Sequence, residues 1–170
     1  MASKPAPEVV VVGAGIVGCA VAYRLAQRGV SVALLEQARP GAEASSAAAG
    51  ILMPEAQPGA DPDLVRWWIA GLRGYSAFVR EVGEESGIAV EARFPGRWLV
   101  TLTDEGVEDL RQHAERQRAA GIAVDVLDGD EARRAVPYLS ESVRAAAFFP
   151  GQGQVDNSRL VEAVAVAARR

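Results

Sequence analysis

The chain has 170 residues, 49% of them hydrophobic and 24% charged, with a formal net charge of -4 and a pI near 5.1. That is enough for one medium domain, or one domain and part of a second, with a sizeable core; it excludes a disordered, collagen-like or disulfide-stapled chain. The negative balance also argues against a nucleic-acid partner. A single cysteine, Cys19, and a single histidine, His113, leave no internal disulfide and no zinc site of the usual Cys/His kinds, so no metal is expected. The only lysine, Lys4, lies in the Pro-flanked start, which removes a Walker-type or Schiff-base lysine from the body of the chain.

The apolar run Val9 to Val12 follows Lys4 but is broken by Gly13, Gly15 and Gly18, unlike the unbroken core of a signal peptide. No stretch approaches the roughly 18 apolar residues of a membrane helix. The reading is a cytoplasmic chain with no membrane and no nucleic-acid partner.

In chain order, residues 1–7 read as a disordered tail. Glu8 to Val12 is a β-branched run of the kind buried on both faces in a parallel sheet. Ile16 to Arg28 has helical spacing, with Val17, Val21 and Leu25 four apart, and Gly29 as its stop. Val30 to Leu35 is a second strand, which completes a βαβ unit. A Gly-, Ala- and Ser-rich segment runs from Gln37 to Gly50, followed by a loop with Pro54, Pro58 and Pro62. From Pro62 to about Ser86 the spacing of Val65, Trp68, Leu72, Tyr75, Val79 and Val82 predicts a long amphipathic helix. Two short strands follow, near Ile88–Ala92 and Arg97–Leu102, with Pro95-Gly96 as the turn between them. Thr103, Asp104 and Glu105 start a helix that ends near Gly121. Ile122–Leu127 is a strand, and Asp128 with Glu131 has capping-box spacing before a short helix that stops at Pro137. Ala145–Phe149 is the last strand, Gly151–Gln154 turns, and Asn157 or Ser158 caps a helix still running at Arg170. With no stop signal there, the chain reads as cut.

The chemistry lies in Gly13-x-Gly15-x-x-Gly18. Alone it is a weak signal, but here it follows a strand, opens a helix, and precedes a second strand ending in an acid, Glu36. Gly13 permits the tight turn, and Gly15 leaves the helix N-terminus open to a pyrophosphate. Gly18 lets helix and strand pack closely. Glu36 accepts hydrogen bonds from ribose hydroxyls and repels a 2′-phosphate, so NADP is the least suitable dinucleotide. An NAD-binding unit would pass from Glu36 to another crossover helix. This chain gives Arg39 to Leu52 instead, where Ser45 or Ser46 can cap a short alanine helix that Gly50 ends. Small side chains there admit a large flat cofactor, and a plain Ala-rich surface helix fits the residues equally.

VVVVGAGIVGCAVAYRLAQRG, Glu36 and ASSAAAGIL together resemble the D-amino-acid oxidase-like FAD-dependent oxidoreductases, above all the glycine oxidase branch of thiazole biosynthesis. Pro95-Gly96-Arg97-Trp98-Leu99, Pro137-Tyr138-Leu139 and Gly153 to Val161 support the same resemblance. It implies an α/β fold: an FAD/NAD(P)-binding Rossmann-like βαβ unit with the beginning of an α+β substrate domain, truncated. The division would be 8–60 for the dinucleotide-binding and flavin-contacting part, 61–150 for the first part of the substrate domain, and 151–170 for a helix returning to the first. The cofactor would be FAD. Gly13, Gly15, Ile16, Val17 and Gly18 would border the pyrophosphate, and Glu36 would hold the adenosine ribose with Gln37 beside it. Ala44, Ser45 and Ser46 would face the pyrophosphate and flavin side chain. Ala49, Gly50 and Ile51 would approach the isoalloxazine, with Ile51 also bordering the substrate. The implied reaction is oxidative deamination of glycine or another small amino acid or amine, hydride passing to flavin N5 and then to molecular oxygen as hydrogen peroxide.

Members of that family are longer, and the part beyond the equivalent of Arg170 is expected to carry the arginine that clamps the substrate carboxylate. No catalytic residue is therefore assigned, and residues 1–170 alone are expected to be inactive. Exposed apolar surface and an unpaired sheet edge are expected for the same reason, and a homo-oligomer is compatible with them. Sarcosine oxidation and a D-amino-acid dehydrogenase passing electrons to a quinone are the variants within the family. Outside it stand a non-catalytic FAD-binding fragment needing a second half or partner chain and an NAD-dependent dehydrogenase half. His113 is assigned to a solvated helix face, Cys19 to packing, Trp67 and Trp68 to the core first and a domain interface second, and Trp98 to the core ahead of a place at the substrate pocket.

Overall fold

The computed structural model describes residues 6–170; the start of the expected tail, residues 1–5, lies outside the described residues. The elements are β1 (Val9–Val12), α1 (Ile16–Ala26), β2 (Val32–Leu35), α2 (Ala44–Ala47), β3 (Ile51–Leu52), α3 (Pro62–Ser86) and β4 (Ala92–Arg93). They continue with β5 (Arg97–Thr101), α4 (Asp104–Ala119), β6 (Asp125–Asp128), α5 (Gly129–Ala135), β7 (Ala145–Phe149), β8 (Gly153–Val155) and α6 (Asn157–Ala167). The described residues form two compact units, those up to 51 with 75–92 and 154–170 in the first and 52–74 with 93–153 in the second. Among the described residues no helix is long and apolar enough to cross a membrane.

In the first unit β1 and β2 pair in parallel, Val9 opposite Val32 and Val12 opposite Leu35, as the βαβ reading requires. Helix α1 packs on them and on α6, so Cys19, Ala22 and Tyr23 share the core with Leu160, Val161 and Val164. One expectation is corrected here. The β1 run is not buried on both faces: Val10 and Val12 are exposed, as is Leu35. The cause is that α1 covers the inward residues Val9 and Val11, and strand alternation sends their neighbours to the other face. The buried Tyr23 hydroxyl donates to Glu81 at 2.9 Å, and the Arg24 guanidinium grips both carboxylate oxygens of Glu81 at 2.7 and 3.0 Å. Arg24 holds the Glu81 carboxyl down to about 2, while burial pushes the Tyr23 hydroxyl up.

In the second unit β7 is the central strand of a three-stranded antiparallel sheet, order β5-β7-β6. One face carries Leu99, Ala147 and Phe149 against Leu110 and Ala114 of α4, with Ile122 and Val124 closing the core. Thr103 caps α4 through its hydroxyl, and Asp128 and Glu131 complete a capping box on α5, both as the sequence indicates. Trp98 stacks on Phe148 at 4.6 Å, in keeping with a packed aromatic. Trp67 and Trp68, expected in the core, are instead 76% and 44% exposed.

Other boundaries also move. β4 and β5 do not make a hairpin across Pro95-Gly96: β4 joins β3 and β8 in a second small sheet, order β3-β8-β4. The turn expected at Gly151–Gln154 contains the start of β8. Residues Ile122 and Val124 pack without laddering, so β6 starts at Asp125. Helix α6 is capped by Asp156, whose carboxylate accepts from the Arg159 amide, and it ends at Ala167 rather than running on at Arg170.

Two outcomes follow from these contacts. Gly96 has φ +81°, and a Cβ there would lie 2.3 Å from the Phe148 ring. Gly96→Ala should cost about 2–5 kcal/mol in chemical denaturation, from the left-handed backbone and the overpacking together. Glu81 has a folded pKa below the ordinary 4.5, so its contribution is present above that value and is lost as pH falls from about 4.5 toward 2. The melting temperature should therefore drop more steeply between pH 5 and 2.5 in the parent than in Glu81→Gln, which has no carboxyl to protonate.

Candidate dinucleotide site

The site grows from the β1–α1 turn in the first unit. The Gly13 amide extends the sheet ladder to the Leu35 carbonyl at 2.8 Å, and Gly13 turns the chain at φ +95°. Gly18 has no room for a side chain, since a Cβ there would stand 1.9 Å from the Gly13 carbonyl oxygen. These two glycines draw the N-terminus of α1 against the end of β1. The helix starts at Ile16 with no acid in its first turn and no side chain on its Gly15 cap, so its positive end is not neutralised from within the helix.

Glu36, at the end of β2, closes the other side. Its Oε2 accepts from the Ala14 amide at 2.8 Å and its Oε1 from the Ala38 amide at 3.0 Å. The Ala14 amide, with that of Ala38, holds the carboxyl below the usual glutamate range. Each oxygen keeps a second lone pair for a further donor. Ser45 faces the turn: its Oγ accepts from the Ile16 amide at 3.0 Å. That hydroxyl retains its own hydrogen for an anion at the helix end.

Around these groups lies a cavity of about 660 Å³ lined by Gly13, Gly15, Glu36, Gln37 and Ser45 among the expected residues. Val12, Leu35, Gly41, Ala42 and Glu43 complete it and were not anticipated. Gly41 is held by its amide on the Ala14 carbonyl at 2.9 Å and by Ser46, whose hydroxyl donates to the Gly41 carbonyl. The sequence signal for Gly41 was its place after Pro40, a turn dipeptide next to the small-residue segment.

The remaining expected residues lie beside the cavity rather than on its wall. Ile16, Val17 and Gly18 form the first turn of α1, with Val17 exposed. Ala44, Ser45 and Ser46 belong to α2, but neither serine caps it: Glu43 is the cap residue, without a side-chain bond. The two hydroxyls instead reach Ile16 and Gly41, which out-compete a local cap. Helix α2 gives way at Ala48, ahead of Gly50. Asn157 donates to the carbonyls of Ser45 and Ala48, which fixes that end of the segment. Gly50 approaches β8 so closely that a Cβ would lie 2.0 Å from the Val155 carbonyl oxygen. Ala49 and Ile51 on either side of it are exposed.

Between β2 and β3 the chain makes only the four-residue α2, and β3 enters a different sheet. No third parallel strand joins β1 and β2 among the described residues, unlike the continuation an NAD half would need. Cys19 is buried and donates to the Ala14 carbonyl at 3.3 Å, in line with packing. His113 departs from expectation: its side chain is only 17% exposed and turns inward to Glu55, 3.1 Å away, rather than lying on a solvated face.

A family model described as DAO, FAD dependent oxidoreductase, matches residues 8–170. Glycine oxidase from Geobacillus kaustophilus is 33% identical over 162 residues, covering 95% of this chain and 43% of that protein. The solved structure of glycine oxidase from the same organism superposes with a TM-score of 0.87 at 34% identity, over 96% of this chain and 44% of that one. Glycine oxidase from Bacillus cereus superposes with a TM-score of 0.85 at 29% identity. The chain thus spans under half the length of the relatives it matches. It belongs to the DAO family of FAD-dependent oxidoreductases.

Proposed function

We propose that residues 1–170 form the ADP-binding side of an FAD-dependent enzyme that oxidatively deaminates glycine or a similarly small amino acid or amine. The observation that carries this reading is the convergence on one cavity of a helix N-terminus with no acid in its first turn, the Ser45 hydroxyl and the Glu36 carboxylate. The donor set fits the group. The α1 terminus and Ser45 offer positive charge and a hydroxyl to a pyrophosphate, and Gly15 leaves that approach clear of a side chain. Glu36 has lone pairs for the two ribose hydroxyls. The exposed Val12 and Leu35 offer apolar surface to a purine, with Gln37 beside it.

Ala44, Ser45 and Ser46 would continue along the pyrophosphate, and Ala49, Gly50 and Ile51 would meet the flavin, with Ile51 next to the substrate. FAD, when bound, supplies an acceptor for hydride from the substrate C–H bond and passes the electrons to molecular oxygen, giving hydrogen peroxide. The chain's own residues bind and orient; none of those described here is assigned to hold or move a proton in the reaction. We place the enzyme in the cytoplasm, with its product serving thiazole, and so thiamine, biosynthesis.

Titration of FAD into the protein, followed by flavin fluorescence, tests the reading. Glu36→Ala should weaken binding about 10- to 150-fold, the worth of about 1.5–3 kcal/mol for hydrogen bonds to a charged group. Gly15→Val should abolish it, because the branched side chain would fill the approach to the helix end. Equal affinity in all three proteins would sink the assignment. Residues 1–170 alone should release no peroxide from glycine, sarcosine or D-alanine with excess FAD, since positioning of the substrate is expected from residues outside them, and positioning supplies about 7–11 kcal/mol of such barriers. Clear turnover would show that the catalytic groups lie within this chain.

A further inference from the structure

In the second unit three consecutive residues without regular secondary structure, Pro54, Glu55 and Ala56, are each held by polar side chains remote in sequence. Gln152 donates from Nε2 to the Pro54 carbonyl at 3.2 Å. Gln117, on α4, accepts from the Ala56 amide at 2.8 Å and donates back to the Ala56 carbonyl at 2.9 Å. Both glutamines are fully buried. Between them the Glu55 carboxylate lies 3.1 Å from His113 Nε2 and 3.8 Å from Arg97 Nη2. Those two nitrogens are buried and make no aligned hydrogen bond among the described residues, and the Glu55 carboxylate is the charge that faces them. The two bases are themselves fixed. Arg97 Nε donates to Gln152 Oε1 at 2.7 Å and its guanidinium lies 4.5 Å from the centre of the Phe149 ring, against whose edge His113 packs at 5.9 Å.

A loop could be pinned by apolar contacts at lower cost, because every polar group taken from water needs a partner. What polar groups add is register: each bond accepts one backbone atom and no neighbour. We propose that Glu55, Arg97, His113, Gln117 and Gln152 are positioning residues, a clamp that fixes the path of residues 52–56. That stretch runs directly on in sequence from Gly50–Ile51, the pair that the FAD reading sets toward flavin. Its role toward flavin rests on the FAD reading above; the clamp itself does not.

His113 is the only histidine, so its imidazole resonances report alone in an NMR titration. Burial holds its pKa below the ordinary value, Glu55 pulls it up, and Arg116 and Arg97 push it down. Glu55→Gln removes the upward pull, and His113 should then titrate at lower pH than in the parent. Gln117→Leu keeps the volume and removes both bonds to Ala56. The Ala56 amide should exchange with deuterium at least tenfold faster, while the Leu110 and Ala114 amides of α4 stay protected. In the FAD-loaded protein the same variant should shift the oxidised-flavin absorption bands. An unmoved His113 midpoint or an unchanged Ala56 exchange rate would overturn the clamp. Loss of α4 protection together with Ala56, or an unmoved flavin spectrum with Ala56 released, would overturn the positioning role. Failure of the parent to bind FAD would overturn the oxidase reading and the role toward flavin, whereas the exchange and titration results, read without FAD, decide the clamp.

Discussion

The hydrogen bond from the Ala14 amide to the Glu36 carboxylate is the constraint on which the site depends. It joins the turn after β1 to the end of β2, continuing the β1–β2 ladder one step beyond the backbone bond between Gly13 and Leu35. A charge-assisted bond of this kind is stronger than a neutral one, and it fixes the acid beside the opening of α1. The glycines matter because they let this closure happen: a side chain at Gly18 would strike the Gly13 carbonyl and push the helix away. Ser45 then closes the third side through Ile16. The cavity is the space these three closures leave.

Much of this was legible in the residues. A strand, a glycine-spaced turn and an acid ending the next strand form a pattern whose members lie within a few tens of residues, so local spacing carries it. The same holds for the capping box at Asp128 and Glu131 and for the long helix from Pro62 to Ser86, where periodicity extends over many turns. The resemblance to DAO-type flavoenzymes is carried above all by the glycine-spaced turn, Glu36 and the small-residue segment from Ala44 to Leu52, and the family match covers residues 8–170.

What was not legible involves partners far apart in sequence. Ser45 and Ser46 look like helix caps by composition, but their hydroxyls reach Ile16 and Gly41. Asn157 looks like a cap for α6, but it serves the Ser45–Ala48 carbonyls and leaves the cap to Asp156. His113 sits among Arg111, Glu115, Arg116 and Arg118, which suggests a wet face. Its ring nevertheless turns to Glu55, fifty-eight positions away in the chain. Short strands such as β8 are set by ladder partners and carry almost no signal of their own.

The central claim is that the cavity between Glu36, Gly15 and Ser45 recognises the ADP portion of FAD. The most direct measurement follows the backbone amide resonances of Ala14, Gly15, Ile16 and Ala38 during separate titrations with ADP, FMN and FAD. The account predicts that ADP and FAD shift these amides in the same direction and that FMN, which lacks the adenosine, leaves them in place. Shifts with FMN and none with ADP would contradict it.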